Sequence, residues 1–258
     1  MIQWNPSPVL WQIGPFALRW YSLMFIIGFW TSVHLMKKIF IWEKYTLEKI
    51  DSLLFHVFLG TLIGARLGHV LFYDPVYYFS HPLDILKVWE GGLASHGGTL
   101  GVILSVVIFC RKNSEFSLMW LFDRVSMLAI MTGSLIRIGN LMNSEIVGQP
   151  TQVPWSFVFT RVDQLPRHPT QIYESVCYAI IFLVCWFVYL QKKESTPKGL
   201  LFGMVLVGTF SVRLFLEFLK ENQEAFEQNW ILNMGQILSL PFILCGLFLV
   251  FRALKKNI

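Results

Sequence analysis

Charge is scarce in this sequence. Only 14% of its 258 residues are charged, against 55% hydrophobic. A soluble globule carries roughly a quarter charged residues, so the chain is predicted to spend most of its length in lipid. The net charge is a modest +5, and no basic face is interleaved with polar residues, which argues against nucleic acid as a partner. The signatures of metal and nucleotide chemistry are also missing. No histidine, cysteine or carboxylate group has metal-ligand spacing, and HExxH, a Walker loop and a GxSxG elbow are all absent. Chemistry without metal or cofactor is the expectation. The four cysteines, Cys110, Cys177, Cys185 and Cys245, form no CxxC and lie in or beside apolar runs. They read as apolar side chains rather than disulfide partners. The first basic residue is Arg19, so there is no cationic leader and no cleaved signal peptide is expected. Internal repeats and low-complexity tracts are missing as well.

What is present is a series of apolar runs, each near the roughly 20 residues that a bilayer core requires. They cover about 16–36, 52–73, 93–110, 118–140, 172–190, 199–218 and 233–251. The predicted fold is therefore all-α, a polytopic membrane protein of about seven transmembrane helices forming one catalytic domain over 1–258. Residues 1–15 carry Trp4, Trp11, three prolines and no formal charge, and read as an interfacial lead-in. Segment 74–92 is turn-like and aromatic. Segment 141–170 interrupts the rhythm with four prolines and is the one stretch suited to a small extramembrane unit.

The basic residues orient the chain. Loops after spans one, three, five and seven hold twelve Lys and Arg, whereas the lead-in and the loops after two, four and six hold four. The positive-inside rule then puts the N-terminus outside, the C-terminus in the cytoplasm and 141–170 outside. An acidic loop follows span six, and Arg252, Lys255 and Lys256 follow span seven.

Five arginines remain inside the spans: Arg19, Arg66, Arg124, Arg137 and Arg213. A guanidinium in an apolar span is expensive unless it meets protein, water or an anion, so each is a candidate for function. At about 1.5 Å per residue, Arg66 and Arg213 each lie ~20 Å from the cytoplasmic start of their spans. Arg137 is near the outer end of span four, His96 begins span three, and Tyr21 lies within two turns of the start of span one. These positions share one outer layer. Arg137 and Asn140 occupy one helix face at i and i+3 and could hold one ligand. Arg137 and Arg213 are forks suited to phosphate oxygens; Arg213 could also pair with Glu217 one turn on and still leave donors free. His96, between Gly91-Gly92 and Gly97-Gly98, could accept a proton near neutral pH beside a helix N-terminus. It could also be bonded to a loop carbonyl, with the glycines packing helices. Arg66, His69 and Tyr73 line one helix face as either a headgroup strip or a packed polar seam. Asp123 and Arg124 read as structural, and His34, His56 and His81 as incidental. In Pro166–Glu174, Thr170 could cap the fifth span.

The run Arg137-x-Gly139-Asn140-x-x-Asn143-x-Glu145-x-x-Gly148 closely resembles the signature of the bacterial prolipoprotein diacylglyceryl transferases. Further blocks match in the same order. They are Leu18–Tyr21, Gly64–Gly68, Gly91–Gly98, Pro166–Glu174, Arg213 with Glu217, and Met234–Ser239. Ile136 and Ser144 depart from common glycines, and His69 from a frequent tyrosine. The resemblance implies transfer of the diacylglyceryl group of phosphatidylglycerol to the lipobox cysteine thiol of a prolipoprotein signal peptide. A thioether forms and glycerol 1-phosphate leaves. It also implies the bacterial inner membrane, with the site facing the periplasm. His96 would take the thiol proton, and Arg137 and Arg213 would hold the phosphate. Asn140, Asn143, Glu145 and Gly148 would shape the headgroup pocket and Tyr21 would position it. Arg66, Tyr73 and Glu217 are further substrate-binding candidates. A transporter or flippase of anionic lipid headgroups is the alternative of another class, and a phosphatidylglycerol hydrolase would use the same site with water.

Overall fold

In a computed structural model, residues 1–14, 16–88, 91–220 and 232–255 are described. Most of the predicted acidic loop, at 221–231, and Lys256 lie outside the described residues. Among the described residues eight α-helices are formed: α1 Trp20–Trp42, α2 Glu48–Phe72, α3 Pro75–Ser80, α4 Ser95–Lys112, α5 Leu118–Asn143, α6 Thr170–Lys192, α7 Leu200–Leu216 and α8 Met234–Lys255. Among the described residues six of them, α1, α2, α5, α6, α7 and α8, are long and apolar enough to cross a membrane. This is a multi-pass membrane protein. The third predicted span is α4, a helix of 18 residues that is not among those six, because Arg111 and Lys112 at one end and Ser95, His96 and the glycines at the other dilute its apolar run.

The chain divides into two compact units, Met1–Met36 with Asp123–Ile258, and Lys37–Phe122. In the second, α2 and α4 meet along glycines. A Cβ on Gly101 would stand 1.9 Å from the Gly60 carbonyl oxygen, and one on Gly97 would stand 2.3 Å from that of Gly64. Backbones this close gain dispersion contacts that larger side chains would prevent. The same unit packs Phe40, Tyr45, Phe116 and Trp120 ring against ring, and Trp120 Nε1 donates to Glu43 Oε2 at 2.6 Å.

In the first unit, Gly28 lies against Thr132 and Gly139 against Tyr21, which seats α1 on α5. Ser134 and Ser175 exchange hydroxyl-to-carbonyl hydrogen bonds of 2.8 and 2.9 Å between α5 and α6. Asp123 accepts from the Gly199 and Phe202 amides at 2.7 and 2.8 Å, satisfying the open N-terminus of α7. Its neighbour Arg124 lies over the Tyr189 ring at 5.5 Å. Both are fully buried, in keeping with the structural reading.

The fold is mostly helical, as expected, and among the described residues two small sheets accompany the helices. Strand β1 (Ile2–Trp4) pairs in parallel with β4 (Phe157–Phe159), which pairs antiparallel with β5 (Pro166–Arg167). Strands β2 (Val9–Ile13) and β3 (Phe16–Arg19) form an antiparallel hairpin. The pairing of β1 with β4 joins segments far apart in sequence, which leaves no local periodicity to read. Trp4 is not a free interfacial ring. It packs on Phe157 at 5.3 Å, its Nε1 donates to the Leu141 carbonyl at 2.9 Å, and it covers a core of Leu141, Phe157 and Phe159. Arg19 ends β3 and precedes the first helix rather than lying within it.

Candidate functional site

The C-terminal end of α5 supports a chain of polar groups in the first unit. Asn143 Nδ2 donates to Glu145 Oε1 at 3.1 Å, and Asn140 Nδ2 to Glu145 Oε2 at 3.0 Å. Arg137 Nη1 donates to Asn140 Oδ1 at 3.1 Å, while its Nε lies 2.5 Å from Glu174 Oε2. Glu174 Oε1 accepts from Lys220 Nζ at 2.7 Å, and Lys220 lies 3.5 Å from Glu217 Oε2. The helical i, i+3 spacing brings Arg137 and Asn140 together as expected. The loop beyond α5 turns Glu145 back onto them, and its backbone is held by Gln171 Nε2, which donates to the Glu145 carbonyl at 2.6 Å. Gly148 closes this loop with a bridge to Lys220. A Cβ there would stand 2.7 Å from the His168 carbonyl oxygen and 2.8 Å from that of Leu219, so only glycine permits the approach.

Tyr21 packs on Gly139 and lies within electrostatic reach of Glu145 and Arg137. Arg213 does not pair with Glu217, which turns to Lys220 instead. Arg213 is exposed, and its charge, like that of Arg137, acts on the buried Tyr178. Thr170 does not cap α6. Its hydroxyl donates to the Ile146 carbonyl at 2.8 Å, because the chain enters the helix beside that loop. The head segment is tied to the same loop through Arg167, whose Nη1 donates to the Gly148 carbonyl at 3.0 Å. Hydrogen bonds from Arg167 hold the Asp163 carboxyl below its ordinary pKa.

In the other unit, Arg66 is only 4% exposed. Its Nε donates to Ile85 O, its Nη1 to Gly91 O and Gly92 O, and its Nη2 to Asp84 O. The side chain thus ties Asp84 and Ile85 to Gly91 and Gly92, and it also lies over the Tyr78 ring at 4.9 Å. A cavity of about 320 Å³ adjoins it, lined by His69, Tyr77, Tyr78, Asp84 and the two glycines. At its edge Asp84 is held below the ordinary carboxylate range by hydrogen bonds from Lys87 and then Tyr77. That last bond pushes the Tyr77 phenol up. His69, Tyr73 and His96 form a column of stacked rings, with centroids 5.3 and 5.8 Å apart. His96 is exposed on the first turn of α4 and bonds to no loop carbonyl among the described residues. Of its flanking glycines, Gly97 serves helix packing, while Gly91 and Gly92 turn the backbone at φ 96 and 68.

Comparison with known proteins bears on the same residues. A model of the prolipoprotein diacylglyceryl transferase family matches residues 8–252. The phosphatidylglycerol–prolipoprotein diacylglyceryl transferase of Tolumonas auensis is 44% identical over 100% of this chain and 99% of its own length. That of Chloroherpeton thalassium is 45% identical over 99% of this chain and 95% of its own. That of Vibrio cholerae is 37% identical over 98% and 94%. The chain belongs to the prolipoprotein diacylglyceryl transferase family.

Several blocks that carried the resemblance to the transferases now have physical explanations. In Met234–Ser239, the Asn233 amide donates to Gln236 Oε1 and the Gln236 amide to Asn233 Oδ1, a reciprocal cap that starts α8. Gly235 leaves room for Glu217, whose Cδ would stand 3.0 Å from a Cβ. Ser144, one of the departures noted in the sequence, adopts φ 55, a conformation that strains an L side chain. Its hydroxyl accepts from Arg161 Nη2 at 3.0 Å, which helps to hold that turn. Reading the sequence missed Lys220 and Tyr178 and left Glu174 without a role. Only the anomaly of a lysine and a glutamate beside apolar runs could have pointed to the first and third.

Proposed function

We propose that the protein transfers the diacylglyceryl group of phosphatidylglycerol to the thiol of a lipobox cysteine in a prolipoprotein signal peptide. The observation that carries this reading is Arg137. Its guanidinium is held at Nε by Glu174 and at Nη1 by Asn140, at the start of the run that resembles the transferase signature. A fork fixed in this way suits the phosphate of an anionic lipid. Exposed Arg213, acting on Tyr178 together with Arg137, supplies a second cation. Together they bind the phosphate diester and stabilise the charge that develops on departing glycerol 1-phosphate. His96, exposed and supported by stacked Tyr73, takes the thiol proton, because an unperturbed thiol near pKa 8.5 is mostly protonated at neutral pH. The thiolate sulfur forms the new C–S bond as the glyceryl C–O bond breaks. Glycerol 1-phosphate carries away the electron pair, and the imidazolium releases its proton. Asn140, Asn143, Glu145 and Gly148 shape the headgroup pocket, with Tyr21 beside them. Arg66 serves substrate binding by holding the carbonyls of Asp84, Ile85, Gly91 and Gly92 in place, Tyr73 supports His96, and Glu217 balances the nearby cations.

We further infer seven crossings of the bacterial inner membrane, α4 included, in a single catalytic domain. The N-terminus and 141–170 face the periplasm, the C-terminus faces the cytoplasm, and the site opens toward the outer leaflet. The basic residues in alternate loops support this orientation.

The test uses purified protein in detergent with phosphatidylglycerol, with and without a lipobox peptide, read by mass spectrometry. Wild type is expected to add one diacylglyceryl mass to the peptide cysteine. Arg137→Ala and Arg213→Ala are expected to lose at least about 10²-fold in rate, the scale of removing one transition-state donor. Undiminished His96→Ala activity would remove the base assignment alone. Lipid hydrolysis without peptide modification would replace the transferase reading, and lipid binding with no chemistry would favour transport.

A further inference from the structure

We propose that Glu174 and Lys220 are positioning residues for this transfer, Glu174 orienting the Arg137 guanidinium and Lys220 holding Glu174. The proposal rests on the reading of Arg137 as a phosphate-binding group. Glu174 is 1% exposed, and its two oxygens serve different cations, Oε2 at 2.5 Å from Arg137 Nε and Oε1 at 2.7 Å from Lys220 Nζ. Lys220 is 7% exposed and meets a second buried carboxylate, Glu217, at 3.5 Å. The row therefore alternates in sign, Arg137, Glu174, Lys220, Glu217, and its more accessible end is Arg137, whose side chain is 21% exposed.

Burying three charges and part of a fourth is expensive, and apolar residues of similar size would pack the same space more cheaply. What they could not do is orient a guanidinium. Arg137 is planar, and the ion pair of its Nε with Glu174 together with the hydrogen bond from Nη1 to Asn140 holds it from two sides. Tyr21 and Tyr178 also lie within electrostatic reach of it. Lys220 is anchored through its backbone as well, since its carbonyl accepts from Gln149 Nε2 at 2.7 Å and the residue bridges to Gly148. The loop after α5, the start of α6 and the chain beyond α7 thus set the direction of one guanidinium. Donors aligned before the lipid arrives need no reorganisation when charge develops on the leaving phosphate.

A double-mutant cycle on kcat/KM separates orientation from mere structural support. Glu174→Gln, Lys220→Met, Arg137→Lys and the combinations are purified in detergent. They are assayed with phosphatidylglycerol and a lipobox peptide over incubations long enough to resolve residual rates. Glu174→Gln is expected to lower kcat/KM by about 10²-fold, the scale of a misplaced reacting group, with a smaller loss for Lys220→Met. In the Arg137→Lys background Glu174→Gln is expected to change little further, because an ammonium has no plane to orient. The same fold-loss in both backgrounds would overturn the proposal. If Glu174→Gln fails to fold, Glu174→Gln/Lys220→Met, which removes one charge of each sign, takes its place with the same expectation. Arg137→Ala distinguishes the two levels. If it is inactive while Glu174→Gln matches wild type, positioning alone is wrong. If Arg137→Ala matches wild type, the phosphate-binding reading falls first.

Discussion

At the scale of the residue, Arg167 joins the head segment to the loop that carries Gly148. Its Nε and Nη2 bind the Asp163 carboxylate while Nη1 reaches the Gly148 carbonyl. Because these bonds hold Asp163 below its ordinary pKa, its ionised form is favoured in the folded protein. The pair therefore stabilises the fold above the unfolded carboxylate pKa of about 3.9. That contribution is lost as pH falls through the lower folded value. Asp163→Asn is expected to lower Tm slightly at pH 7 and to leave it near that of wild type at the acid end. Thermal unfolding in detergent across pH reads the difference. A constant loss at every pH would mean that the carboxylate's charge is irrelevant there.

At the scale of the element, the α2–α4 pair depends on which glycines face each other, not on how many there are. A Cβ at Gly97 would collide with the Gly64 carbonyl oxygen at 2.3 Å, whereas one at Gly98 would meet Ala65 Cβ at an ordinary 3.5 Å. Gly97→Ala is expected to destabilise by about 1–3 kcal/mol, since backbone must shift to admit the methyl. Gly98→Ala is expected to be neutral or to stabilise by up to ~1 kcal/mol, through the better helix propensity of alanine. Comparison of Tm for the two variants checks the register directly, and equal losses would contradict the packing described. His96 stands next to this seam, so Gly97→Ala is also expected to lower transferase activity while Gly98→Ala retains it.

At the scale of the whole molecule, the alternating distribution of basic residues carries a prediction of orientation. Single cysteines are placed at Gln152 and at Glu194, both exposed, after Cys110, Cys177, Cys185 and Cys245 are replaced by alanine. In spheroplasts a membrane-impermeant thiol reagent is expected to label the cysteine at 152 and not the one at 194. Labelling of 194 alone would invert the topology. Labelling of both would require an even number of crossings between them and remove α6 as a single span.

The sequence by itself determined the six long apolar helices, because runs of about bilayer length leave their mark residue by residue. The predicted span at 172–190 became Thr170–Lys192, and that at 199–218 became Leu200–Leu216. It also singled out Arg137, Asn140 and Glu145, because a charge beside an apolar run is conspicuous and helical spacing predicts which neighbours share its face. Tertiary structure alone decided where those charges are satisfied. Arg66, an even choice between headgroup strip and packed seam on sequence, spends its donors on the carbonyls of a distant segment. Glu217 passed over Arg213 for Lys220, and Glu174 joined Arg137 to that same lysine. The strands of the head escaped notice for a related reason, since β1 finds its partner near the middle of the chain. Burial of an apolar face follows from local pattern, whereas the partner of a buried charge is fixed only when remote segments meet.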